Sequence, residues 1–164
     1  MDHIATGSFD ITLQPEALSP VAEATGLGRL SLNKQFSGDL QATSQSEMLS
    51  FRSSTAGSAG YVAMERVQGH LHGRHGSFVL QHSASMAQGE ASQHITVVPD
   101  SATDALQGLR GTMQITIDNG QLPTALRTSC RRPEPRCAPP VANLSRRCDD
   151  MQDRDFLQDA AFSR

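Results

Sequence analysis

The chain has no tryptophan, a single tyrosine, Tyr61, and six phenylalanines among its 164 residues. A core built from it must be filled mainly by Val, Ile, Leu, Met and Ala, and platforms of exposed aromatics for stacking bases are excluded. Strong charge of either sign is also lacking: 14 basic against 17 acidic residues give a net charge of -3, with a pI near 6.0. That balance supplies no field to hold a phosphate backbone, so no nucleic-acid partner is expected. Long hydrophobic runs are missing too. The N-terminus, MDHIATGSFD, has an acid at its second position and no apolar stretch of signal-peptide length, and no segment approaches a membrane span. The expectation is a soluble cytoplasmic protein without a membrane partner.

Cysteine is scarce: Cys130, Cys137 and Cys148 are the three, odd in number and without zinc-ligand spacing, so free thiols are expected and neither a metal nor a cofactor. Their position matters more than their chemistry. All 13 glycines lie at or before Gly120, and all cysteines lie beyond it. Residues 123–164 carry eight of the 14 basic residues, all arginine, and four prolines fall between Pro133 and Pro140. Few aliphatics are available to offset the ordering entropy of such a stretch, so 122–164 reads as a disordered Arg/Pro-rich tail. One short helix is predicted in it, over 149–162, where Phe156, Leu157, Ala160 and Ala161 share a face. The readable domain is 1–121.

Within that domain the dominant pattern is alternation. Ala5, Gly7, Phe9, Ile11 and Leu13 alternate with Thr6, Ser8, Asp10 and Thr12, the period of a half-buried strand that Pro15 and Pro20 end. Leu30, Leu32 and Phe36 alternate with Ser31, Asn33 and Gln35, and Ser37-Gly38-Asp39 turns into a long polar strand over 40–51 whose register is not readable. Further strands are predicted over 93–99, with Ile95 and Val97 on one side, and over 112–118, with one helical turn between them near Ala105 to Leu109.

The segment YVAMERVQGHLHGRHGSFVLQHS, Tyr61 to Ser83, reads as a β-hairpin. With Gly73-Arg74 as its two-residue loop, Glu65 faces His82, Val67 faces Leu80 and Gly69 faces Phe78 on one side of the ribbon. His70, Gln68, Arg66 and Met64 fall on the other, solvated side. Seven readable strands with short turns and no convincing internal helix predict an all-β protein, an antiparallel up-and-down β-barrel.

The motifs FSGDLQATS (Phe36 to Ser44), MERVQGHLHGRHGSFVLQHS (Met64 to Ser83) and VVPDSATDALQGLRG (Val97 to Gly111) resemble a family of small uncharacterised bacterial proteins, a domain of unknown function. That family is similar in fold to allene oxide cyclase, an eight-stranded calycin-type barrel, and the resemblance covers approximately Ile4 to Gln121. It implies a barrel and no activity. The family continues into an eighth, closing strand where this chain turns to Leu122-Pro123-Thr124, so the resemblance also implies a barrel lacking that strand, with unpaired edges on its first and seventh strands and a route to homo-oligomers.

Glu65 and His82 are the acid and imidazole that the hairpin brings together on an inward surface. They are the candidate catalytic residues, as a proton-transfer couple, or else a structural pair. Tyr61 and Phe78 share their face and join them as candidate ligand-binding residues. His70, His72 and His75 could group at the hairpin tip, but on the solvated side they read as a polar turn. Gly108 to Gly111 is read as a plain turn. The leading expectation is a small apolar or amphipathic ligand in the barrel interior. An isomerase or cyclase using Glu65 and His82, or a non-catalytic oligomerising module, is the alternative.

Overall fold

Period-two alternation builds strands, and eight of them run antiparallel in sequence order around a closed barrel. The structure, a computed structural model, describes residues 2–116 and 123–130. The strands are β1 (Asp2–Pro15), β2 (Gly28–Gly38), β3 (Leu40–Arg52), β4 (Ala59–Leu71), β5 (Arg74–Ala87), β6 (Glu90–Val97), β7 (Leu109–Ile115) and β8 (Pro123–Cys130). Each pairs with its sequence neighbours, and β8 returns to β1 to close the cylinder.

β8 corrects the expected boundary at 122. Pro123 to Cys130 falls where the tail was expected to begin, yet it pairs with β7 from Leu109 to Ile115 and with β1 from Asp2 to Ser8. Its one proline is the first residue of the strand, where a missing N–H does least damage to the ladder. Leu126 and Thr128 are buried while Arg127 is exposed, the alternation of a strand with one inward face. The unpaired edges expected on the first and seventh strands are therefore absent. The remainder of the expected tail, including the helix over 149–162, lies outside the described residues.

A short helix, α1 (Pro20–Thr25), which the sequence reading did not include, links β1 to β2. Its signals are local: Ser19 Oγ accepts from the Ala22 N–H at 3.2 Å, Pro20 opens the first turn, and Gly26 at φ 71° ends it. Pro20 terminates nothing; it starts the helix.

The β4–β5 hairpin turns on His72-Gly73, both at positive φ (49° and 74°), with Leu71 opposite Arg74. This is the twist-matching two-residue turn, with glycine second instead of first. The predicted register is corrected by two residues: Glu65 lies opposite Leu80, and Ala63 opposite His82. Because side chains alternate with period two, a two-residue slip keeps every residue on its predicted face.

The two ends of the barrel differ. At one, Phe36, Leu71, Phe78, Leu80, Ile95, Leu109 and Met113 pack together, and the segment after β6 folds across them. Its turn of 3-10 helix (Asp104–Leu106) buries Leu106 there, and Thr103 N–H donates to Ser77 O at 2.8 Å while its Oγ1 accepts from Ser77 N–H at 3.1 Å. At the other end Ile11, Met48, Tyr61 and Ile115 are half-buried and Leu13 is exposed.

β6 and β7 pair only at Ile95–Met113 and Thr96–Thr112. Beyond these the strands splay, and a side chain replaces the backbone: the Gln93 amide donates to Ile115 O at 2.5 Å and its Oε1 accepts from Ile115 N–H at 3.2 Å. Gln93→Ala removes both bonds without touching the core. It is expected to cost about 1 kcal/mol of local stability, read as faster amide hydrogen exchange at Ile115 with Met113 unaffected; unchanged exchange at Ile115 would refute the bridging role.

Candidate functional site

Glu65 projects inward from the middle of β4 and is buried with 1% exposure. Three side chains from three strands converge on its carboxylate. Lys34 of β2 places Nζ 2.7 Å from Oε2, Ser44 of β3 donates to Oε1 at 2.5 Å, and His82 of β5 places Nε2 2.8 Å from Oε2. The local sequence explains how a lysine two strands away arrives. Ser44 lies opposite Lys34, and Ser46 lies opposite Glu65, so the strand between them carries small side chains at this level. A larger residue at either position would block the path.

Lys34 is buried at 7% exposure, and its ammonium lies 4.8 Å from the centroid of Phe9 and 5.8 Å from that of Phe36. The two ring faces supply weak electrostatic compensation beside the carboxylate. Oε2 receives the Lys34 bond and also lies 2.8 Å from His82 Nε2. The imidazole is thus within ion-pair distance while its buried Nε2 has no hydrogen-bond partner.

These contacts decide the charge on Glu65. Burial acts to raise its pKa, and the His82, Lys34 and Ser44 interactions together outweigh burial, bringing it down to about 2. The carboxylate is ionised at neutral pH and neutralises Lys34. For Tyr61, burial pushes the phenol up and the Glu65 charge adds to it.

Next to this cluster is a cavity of about 220 Å³ at the less filled end of the barrel. Phe9, Ile11, Leu32, Met48, Ala63 and Ile115 line it, together with Tyr61, Lys34, Ser46, Glu65 and His82. Three of the four residues expected to bind a ligand, Tyr61, Glu65 and His82, therefore share one cavity. Phe78 does not: it lies in the packed half among Val67, Leu80 and Ile95. Lys34 and Ser44 belong to the cluster and were missed. The available signal was Lys34 itself, which stands at an inward position between Leu32 and Phe36, where an amine needs a buried partner.

The histidines at the hairpin tip do not join this site. His70 and His75 face each other across β4 and β5 with ring centroids 5.1 Å apart, while His72 occupies the turn, 6.3 Å from His3. Among the described residues no group of three His, Cys, Asp or Glu is placed to hold a metal ion. No described helix is long and apolar enough to cross a membrane.

A family model described as a protein of unknown function, DUF3224, matches residues 5–127. Among solved structures, the chain is similar to a DUF3224-family protein of unknown function from Shewanella oneidensis MR-1, with a TM-score of 0.76 and 46% identity over 80% of this chain and 99% of that one. No curated protein matches.

Proposed function

The chain belongs to the DUF3224 family, whose description assigns no activity, and from the site itself we propose that it binds a small apolar or amphipathic molecule in the barrel interior. The observation that carries this reading is the apolar cavity with Lys34, Glu65 and His82 buried on its wall. Interiors of eight-stranded barrels are just wide enough to be filled by side chains or to hold one small ligand. Here one half is filled, and the other retains space beside polar groups that can orient a guest. The likeness to allene oxide cyclase-type barrels and a cytoplasmic location belong to this reading.

Binding is favoured over an isomerase or cyclase by the electrostatics of Glu65. A carboxylate held at about 2 is a poor proton acceptor near neutral pH, where a general base works best with a pKa close to the operating pH. Glu65 is better suited to holding Lys34 and His82 in place. Binding is also favoured over an edge-to-edge oligomerising module, because β8 pairs with β1 along a closed cylinder.

Native mass spectrometry of protein purified from cells is the test. The expected result is a co-purifying molecule of low mass that is lost in Ala63→Phe, whose added ring would fill the cavity. An empty barrel, identical for wild type and variant, would sink the reading.

A further inference from the structure

The cluster on the cavity wall has more donors than acceptors. Lys34 has three N–H groups, and among the described residues Glu65 is its one hydrogen-bond acceptor; the Phe9 and Phe36 rings flank the ammonium. His82 Nε2 stands 2.8 Å from Glu65 Oε2 and among the described residues has no hydrogen-bond partner. Ser44 spends its hydroxyl proton on Glu65. What the Lys34 ammonium lacks is a second acceptor oxygen.

Its charge, by contrast, is already balanced. Lys34 and the ionised Glu65 cancel, and they are in contact at 2.7 Å. A second carboxylate brought to Lys34 would stand beside that of Glu65 in an interior of low polarity, where like charges repel strongly. An uncharged acceptor meets no such penalty. Resting on the binding reading above, we propose that the ligand carries a neutral carbonyl, as in a ketone, aldehyde or ester, whose oxygen accepts a hydrogen bond from Lys34 Nζ while its short hydrocarbon part lies among Ile11, Leu32, Met48 and Ile115.

Size narrows the class further. A cavity of about 220 Å³ holds roughly seven water-sized volumes. A small volatile-sized molecule matches that space.

Three compounds of about eight non-hydrogen atoms each, heptan-2-one, hexanoate and octane, separate the alternatives when titrated into the full chain and followed by amide chemical shifts. Heptan-2-one is expected to bind about tenfold tighter than either of the others. In Glu65→Gln the Lys34 charge loses its counter-ion, so the order is expected to reverse and hexanoate to bind best. In the double variant Lys34→Met with Glu65→Leu, which leaves neither charge orphaned, the ketone should lose its advantage over octane. Hexanoate binding the wild type as tightly as the ketone would overturn the neutral-carbonyl proposal and leave interior binding intact. Octane matching the ketone would do the same. If none of the three binds, the proposal falls together with the binding reading.

Discussion

Lys34→Met is expected to destabilise the folded barrel by about 3–5 kcal/mol, the cost of leaving a buried carboxylate without its counter-charge. Glu65 has 1% exposure, and without the ammonium it keeps one neutral hydrogen bond from Ser44 and the neighbouring His82 imidazole. Truncation of the partner is what costs, not the absence of a salt bridge as such. Lys34→Met combined with Glu65→Leu should therefore recover most of the loss, to within about 1–2 kcal/mol of wild type, since an apolar pair of similar volume can replace a buried ion pair. Equilibrium denaturation of the two variants decides it. If the single variant is as stable as wild type, the pair is not buried in the way described; if the double variant is worse than the single, packing and not charge is what Lys34 supplies.

The second large effect is a loss of stability in acid. Glu65 has a folded pKa of about 2 against an ordinary value of 4.5. A depressed carboxylate contributes stability that is fully present above the unfolded value and disappears as pH falls through the folded one. The window is therefore between about pH 4.5 and about pH 2, and the shift corresponds to about 3 kcal/mol. Asp39 contributes in the same direction, its carboxylate lowered by hydrogen bonds from the Thr6 N–H and hydroxyl, but it is solvent-exposed. The measurement is stability against pH for wild type and Glu65→Gln. The variant should be less stable at neutral pH and should show a shallower acid limb. An acid limb of equal steepness in both would show that other groups control unfolding in acid.

Most of the fold was legible because its signal has period two. Phe9 with Ile11, Ile95 with Val97, and Met113 with Ile115 were each placed on one face by alternation alone, and the structure turns those faces inward. Glu65 and His82 reached the same cavity even though their register was misjudged, since a slip of two residues preserves the face. The turn was misplaced for a physical reason. His72 takes φ 49°, a conformation that costs a non-glycine residue, and sequence alone favoured putting the glycine first. β3 was unreadable because serine marks neither face: Ser44 and Ser46 point in, while Leu49 and Phe51 of the same strand stay exposed. β8 was missed because Leu126 is its one large buried aliphatic, set among Thr and Arg next to a change in composition. Lys34 was skipped because a charge on an apolar face interrupts the very pattern used to find the face.

The pairing of β8 with β1 has a kinetic side. Every other pairing joins neighbours along the chain, while Asp2 meets Ser129 and Thr6 meets Ala125, contacts that wait for almost the entire domain. Closing a long loop costs only slightly more entropy than closing a medium one, but contacts so distant in sequence slow folding. The sheet is thus expected to grow hairpin by hairpin as the chain leaves the ribosome and to be sealed last. Until Cys130 has emerged, β1 and β7 are both adhesive edges, and a chain stalled at that point is the form most prone to pair with another copy.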